Sequence, residues 1–309
     1  MNDIIMSSET CATRPEIPYQ LVELLNDKRA TEIHLAHRTD DVQPVEIVVK
    51  KVELDFDREN AYAQAASLDA DLKYILSFDH PHLVRHLAHY NPLQANQLEE
   101  SHYIIIMEYC SGGNLHAAAQ FRIPAPLIQE WTRQIVDGLV YLHAQNILHG
   151  HIKGSRVLLS NQDWNTCQMK IGHLDAPHRP RREMAVRQDT GRYAFMAPEM
   201  IVGDDPGRKA DIWSVGCVVL EMISGFLRFV KEVAGQQVDV ITDTTILYYV
   251  GTGGSPRIPH EVPNELRMFI TDCLQRDPVL RPTAADLLNK TFLTTTDVTQ
   301  WSDLRPQRA

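Results

Sequence analysis

A chain of 309 residues with 44% hydrophobic content and a formal net charge of −10 can bury a substantial core, and its acidic balance argues against general nucleic-acid binding. No apolar run approaches the roughly 18 residues of a membrane span, and residues 1–18 lack the basic start and apolar core of a secretion signal, so neither a membrane nor a secreted protein is expected. Cys11, Cys110, Cys167, Cys217 and Cys273 are odd in number and lack C-x-x-C spacing, which predicts free thiols in a reducing, cytoplasmic compartment and no zinc site.

In chain order, residues 1–18 show no periodicity and read as a flexible tail. β-Branched and aromatic residues then concentrate in Glu46–Val52 and Tyr103–Met107, the composition of strands in a small sheet. Leu127, Trp131, Ile135, Leu139 and Leu142 recur at three- and four-residue steps and predict an amphipathic helix, which runs directly into the loop His149–Leu159. Ile212–Ile223 is apolar almost all round, the pattern of a helix buried on every side. Thr283-Ala284-Ala285-Asp286 has the form of a capping box and predicts a last helix carrying Leu287 and Leu288 inward. Asn289-Lys290-Thr291 is read as the end of that helix, not as a glycosylation acceptor. Residues 294–309 read as a second tail, and no internal repeat is present.

Within this order lie short motifs. Val48-Val49-Lys50 lies within the first of these strands, and Met107-Glu108-Tyr109-Cys110 begins at the end of the second. His149-Gly150-His151-Ile152-Lys153-Gly154-Ser155-Arg156 forms the loop, and Lys170-Ile171-Gly172-His173 follows it. Met196-Ala197-Pro198-Glu199, Asp211-Ile212-Trp213-Ser214-Val215-Gly216 and Arg281-Pro282-Thr283 complete the series. Together they resemble the V-A-I-K, hinge, H-R-D-x-K-x-x-N, D-F-G, A-P-E, D-x-W-x-x-G and closing arginine motifs of eukaryotic protein kinases. Gly207-Arg208-Lys209-Ala210 and the run Ile246–Pro259 resemble the Ser/Thr branch of mitogen-activated kinase kinase kinases.

The resemblance implies an α+β, bilobal fold over residues 19–293: a small β-rich N-lobe (19–107), a hinge (108–111) and a larger α-helical C-lobe (112–293). It implies structural roles for His149, Glu199, Asp211 and Arg281, with Glu199 and Arg281 as a buried ion pair. On the nucleotide side it implies Lys50, an acidic partner at Asp71 one methylene shorter than the family's Glu, and the cleft residues Val48, Met107, Glu108, Cys110, Lys153 and Leu158.

The departures cluster where phosphate and metal would sit. His151 stands at the position of the family's base, and Arg156 and His173 at its two metal ligands. Magnesium prefers oxygen ligands, and phosphoryl transfer rests on positioning and charge neutralisation, so these exchanges imply lost chemistry. An imidazole at His151 could take a proton near neutral pH, but general-base help contributes only about 10²–10⁴-fold. The segment Leu25–Ile33 lacks the three glycines that let backbone amides approach phosphate, with Asp27 and Glu32 adding negative charge, and Val48 lowers the roof over the adenine position. In the segment between His173 and Glu199, Thr190 is the only Ser/Thr hydroxyl. Its usual phosphate receiver is replaced by Gly150, and Arg192 stands where a threonine is usual. Asp175 could substitute as a metal ligand if the strand slipped, or could pair with Arg179, Arg181 or Arg182. The basic cluster of those three with Arg187 is either a dock for an acidic partner or a solvated loop.

The resemblance therefore implies a catalytically inactive pseudokinase acting as a scaffold or allosteric partner of an active kinase or other signalling protein. No cofactor, nucleic acid or membrane partner is expected. The alternatives are an atypical ATP-dependent Ser/Thr kinase with residual activity, and a metal-free nucleotide sensor in which Lys50, Lys153 and Arg156 offset phosphate charge.

Overall fold

The computed structural model describes residues 17–28, 30–41, 43–55, 57–94, 101–174, 193–204, 206–233 and 236–296. They form two units: one runs to Phe78 and resumes at Arg85–Tyr109, and the other comprises Asp79–Val84 and the residues from Cys110 onward.

The first unit is built on β1 (Tyr19–Lys28), β2 (Thr31–Arg38), β3 (Val45–Glu53), α1 (Arg58–Ile75), β4 (His86–Tyr90) and β5 (His102–Glu108). Its five-stranded antiparallel sheet has the order β1-β2-β3-β5-β4. Alternation along β3 divides the residues between two faces. Ile47 and Val49 join Ala36, Ala88 and Ile106 in a buried cluster on one face. Val48, paired with Leu35 and Met107, and Lys50, paired with Ile33 and Ile105, lie on the other, because directly opposed residues share a face. α1 packs on that second face: Tyr103 of β5 donates its hydroxyl to Asp69 of α1 at 2.6 Å, and Asn91 Nδ2 donates to the same carboxylate at 2.7 Å.

In the second unit, α2 (Leu115–Ala118) and α3 (Ala125–Ala144) precede the hairpin of β6 (Val157–Leu159) and β7 (Met169–Ile171). There follow α4 (Pro198–Val202), α5 (Lys209–Ser224), the hairpin β8 (Val230–Val233) and β9 (Gln236–Asp239), α6 (Asp243–Gly251), α7 (Asn264–Cys273), α8 (Ala284–Leu288) and α9 (Thr291–Thr294). Residues 210–223 of α5 are all buried, as a sequence apolar almost all round requires. On α3, Trp131, Ile135, Leu139 and Leu142 are buried, whereas Leu127, in the first turn, is half-buried. α8 opens on a capping box in which Asp286 N–H donates to Thr283 Oγ1 at 3.1 Å and Thr283 N–H to Asp286 Oδ2 at 2.9 Å. Leu287 is fully buried; Leu288, about 100° round the helix, is half-buried. Asn289 caps α8 at its C-terminus.

Two boundaries differ from those read in the sequence. Residues 79–84 belong with the second unit and not with an N-lobe ending at 107. Their backbone pairs with β7, Val84 N–H donating to Ile171 O and Ile171 N–H to His82 O, both at 2.9 Å. The chain passes between units after Tyr109. The C-terminal helix α9 extends one residue past 293 and buries Phe292 and Leu293. Tail residues 1–16 and 297–309 lie outside the described residues.

Candidate functional site

α5 positions the central loop. Asp211, wholly buried, accepts three hydrogen bonds: from the backbone N–H of His149 (3.0 Å) and Gly150 (2.8 Å), and from His143 Nε2 of α3 (2.9 Å). Gly150 has φ +71°, a left-handed conformation that glycine adopts without a Cβ penalty. His149 donates from Nε2 to Gly172 O at 2.9 Å and accepts the His151 N–H on Nδ1 at 3.2 Å, which together require the neutral Nε2–H tautomer. Loop and β7 are thereby tied through one imidazole.

The loop then turns through a 3₁₀ segment, Gly154–Arg156, into β6. Lys153 is buried, while His151 and Arg156 are half-buried. Arg156 Nη1 reaches the His151 carbonyl at 3.4 Å. His173, two residues past β7, has φ +64°, a conformation uncommon for a residue with a side chain, and its ring centroid lies 6.4 Å from that of His151. A pocket opens here, lined by His151, Lys153 and Arg156 on the basic side and by Ile152, Phe195 and Met196 on the apolar side, with Gly150 and Ser214 completing it.

No carboxylate is among those lining residues. Their nitrogen and ammonium groups do not fit magnesium, a hard cation that requires oxygen donors in an octahedron. Among the described residues, no group of three or more His, Cys, Asp or Glu could hold a metal ion.

Glu199 and Arg281 meet in a buried bidentate pair at 2.6 and 2.7 Å. In the first unit, Lys50 is buried and shares its sheet face with Val48 and Met107. Asp71 lies half-buried on α1, and neither Lys50 nor Asp71 is without a partner. Glu108 accepts the Arg85 N–H at 2.7 Å. In the second unit, Cys110 is buried and Leu158 of β6 pairs with Lys170. The segment Leu25–Ile33 forms a hairpin tip, with ladder pairing through Asp27↔Glu32 to Lys28↔Thr31. There Glu32 bonds His34 at 2.9 Å and lies 3.7 Å from Lys51. Thr190, Asp175, Arg192 and the basic cluster at 179–187 lie outside the described residues.

Sequence reasoning missed Glu221. This α5 carboxylate is buried, bonds His116 Nδ1 at 2.6 Å and lies beneath Gly154, where an added Cβ would come within 2.2 Å of Oε2. Burial raises its pKa above the usual carboxylate range. Its place as the one acid within the apolar run Ile212–Ile223 was the available signal.

Burial also lowers the pKa values of His80, His82 and His149. Below their ordinary value of about 6.5, the unfolded chain binds protons that these folded imidazoles resist. Their stability contribution is therefore present above pH ~6.5 and is lost as pH falls toward their folded values. Glu221 acts oppositely, because its protonation on acidification relieves a burial cost, but it is one group against three. Melting temperature is expected to be lower at pH 5.5 than at pH 7.5; an equal or higher value at pH 5.5 would show that these imidazoles are not held neutral.

Comparison with known proteins gives the same outline. A family model described as "Protein kinase domain" matches residues 32–293. Mitogen-activated protein kinase kinase kinase 2 of Arabidopsis thaliana is 31% identical over 243 residues, 77% of this chain and 34% of that protein. Mitogen-activated protein kinase kinase kinase 4 of Mus musculus is 33% identical over 232 residues, 72% of this chain and 13% of that protein. Mitogen-activated protein kinase kinase kinase 17 of Arabidopsis thaliana is 32% identical over 234 residues, 74% of this chain and 59% of that protein. The chain thus spans from about an eighth to under two thirds of the relatives it matches.

Proposed function

The chain belongs to the protein kinase family, and on that premise we propose that it is a catalytically inactive member, a pseudokinase acting as a scaffold or allosteric partner in kinase signalling. The observation that carries this reading is the loop pocket: His151 and Arg156 stand where the family has its base and one metal ligand, and no carboxylate is among the described residues that line it; His173 stands at the position of the second ligand. Transfer of a phosphoryl group needs its developing charge neutralised, commonly by metal. A pocket whose described side chains offer no carboxylate to a metal removes that contribution.

The kept residues support a binding role. Asp211, His149, Glu199 and Arg281 hold backbone and bury ion pairs without requiring substrate chemistry. The relatives carry the names of mitogen-activated protein kinase kinase kinases, which supports a signalling kinase as the partner. A cytoplasmic location is part of the proposal; among the described residues, no helix is long and apolar enough to cross a membrane.

A metal-free nucleotide sensor is the second reading, favoured by the burial of Lys153 in the second unit. The test measures both chemistry and binding. Purified protein is expected to incorporate no radiolabel from ATP into itself or general substrates above a heat-killed control. Incorporation that disappears in a Lys50→Met variant would establish the atypical kinase instead. A ligand at 100 times its Kd stabilises a fold by about 2.7 kcal/mol, or several degrees at roughly 2–4 °C per kcal/mol. Millimolar ATP with magnesium is expected to shift melting by less than about 1 °C. A larger shift that survives chelation would favour the sensor.

A further inference from the structure

β1 is the outer strand of the first unit's sheet, and it is apolar where an edge is commonly charged. It stands at one end of the strand order, runs for ten residues and pairs with β2 on one side. Among the described residues, no backbone group meets the outer side of residues 20–27. Leu21, Val22, Leu24 and Leu25 are between 39% and 51% exposed. The sheet's opposite edge differs: β4 has five residues, each buried or half-buried. An edge strand offers unpaired N–H and C=O groups as a template for another strand, and natural edges are blunted by charge, proline or bulges. β1 does carry two register shifts, which leave Val22 and Leu25 without an opposed residue in β2 and bend the strand. Of residues 19–27, however, only Glu23 and Asp27 are charged.

Register assigns the side chains to faces, since directly opposed residues share one. Leu21 opposes Ala36 and Leu24 opposes His34, on the face that holds the buried cluster of Ala36, Ile47 and Val49. Gln20, Glu23 and Asn26 oppose His37, Leu35 and Ile33, on the other face. Glu23 is exposed and makes no ion pair among the described residues. The edge is thus aliphatic on one face and polar, with one unanswered carboxylate, on the other.

A sixth strand laid on this edge would alternate in the same way, with aliphatic residues beside Leu21 and Leu24 and a cation facing Glu23. Opposite charges across a strand pair stabilise it, and like charges destabilise it. A second copy of the chain fits poorly. The twofold register that lays Leu21 against the copy's Leu24 also brings the two Glu23 carboxylates together, and a net charge of −10 repels a copy while drawing a basic segment in.

We propose that β1 is a docking edge for an extended segment of a partner protein in which aliphatic and basic residues alternate, added as a sixth strand through main-chain hydrogen bonds. Docking at this edge does not depend on whether the chain transfers phosphate, so the two readings can fail separately.

The test uses the full chain and a fluorescein-labelled peptide of alternating valine and lysine. Its controls are a peptide of the same composition with the valines and lysines in separate blocks, a valine–glutamate counterpart, and the alternating peptide N-methylated at every second amide in each of its two registers. The alternating peptide is expected to bind at least tenfold more tightly than the block peptide, and to lose that binding on methylation in one register, because only the amides facing β1 are used. Glu23→Lys is expected to weaken the valine–lysine peptide at least fivefold and to strengthen the valine–glutamate counterpart. Leu24→Thr is expected to weaken the valine–lysine peptide at least threefold. Both side chains are exposed, so melting temperature is expected to stay unchanged, and each variant is scored separately, so misfolding of one leaves the other decisive. Equal binding of the alternating and block peptides would overturn the proposal in favour of diffuse attraction between an acidic protein and a polycation. Undiminished binding of both methylated peptides, or of the parent peptide to either folded variant, would overturn it too. Sedimentation of the chain alone supplies the last outcome: a monomer supports the proposal, whereas a dimer dispersed by Leu24→Thr would assign the edge to a second copy and overturn it.

Discussion

Arg281→Ala is expected to lower the melting temperature by about 10 °C or more, the largest single effect anticipated here. Arg281 is only 1% exposed. Its Nη1 and Nη2 donate to Glu199 at 2.6 and 2.7 Å, its Nε donates to Gln275 O at 2.6 Å, and the remaining donors reach Lys209 O and Arg276 O at 2.9 and 3.1 Å. The guanidinium also lies 5.3 Å from the Trp213 ring centroid. Truncation leaves the buried Glu199 carboxylate and three carbonyls unanswered. Breaking one partner of a buried pair costs about 3–5 kcal/mol, at roughly 2–4 °C per kcal/mol for a protein of this size. The Glu199→Ala/Arg281→Ala double variant is expected to lose less than the sum of the singles, since groups in contact are not additive. A single variant melting within 2 °C of the parent would refute the account.

Asp211→Ala is expected to cost about 3 kcal/mol or more, because three donors lose their acceptor in a buried site and each orphan costs about 1–3 kcal/mol. Asp211→Asn is the sharper probe. Its amide can accept on one oxygen only, so in either orientation the NH₂ faces a donor: the Gly150 N–H, or the His149 N–H and His143 Nε2. Denaturant unfolding should therefore place Asn well below the parent despite its near-identical shape. Stability equal to the parent would show that these hydrogen bonds do not hold the loop.

Much of this architecture was legible before any coordinates, for identifiable reasons. α5 declared itself because a helix apolar on every side has no solvent face to present, and the α8 cap because its two reciprocal bonds need particular side chains three residues apart. What escaped depended on distant chain. Residues 79–84 carry no periodicity, and backbone pairing with β7, more than eighty residues on, assigns them to the second unit. The missing glycines of Leu25–Ile33 were plain, but not that the ladder would close to Lys28↔Thr31. Nor was the β8–β9 hairpin apparent, where every residue of β9 is exposed and no alternation marks it. In the site, residue identities were readable, whereas Glu221 beneath Gly154 was hidden inside a helix that otherwise signalled only core.

The brace at Asp211 grips the loop by backbone N–H groups, which every residue except proline carries. The path of the chain through His149 and Gly150 is thus indifferent to which side chains project from positions 151 and 156. Such a loop behaves as a socket with interchangeable fittings: acid, base or cation can be exchanged at its surface without re-solving how the fold is held. Loss of one chemistry and gain of another then require changes only at the rim, while the anchoring carboxylate, 61 residues from Gly150 in sequence, stays untouched.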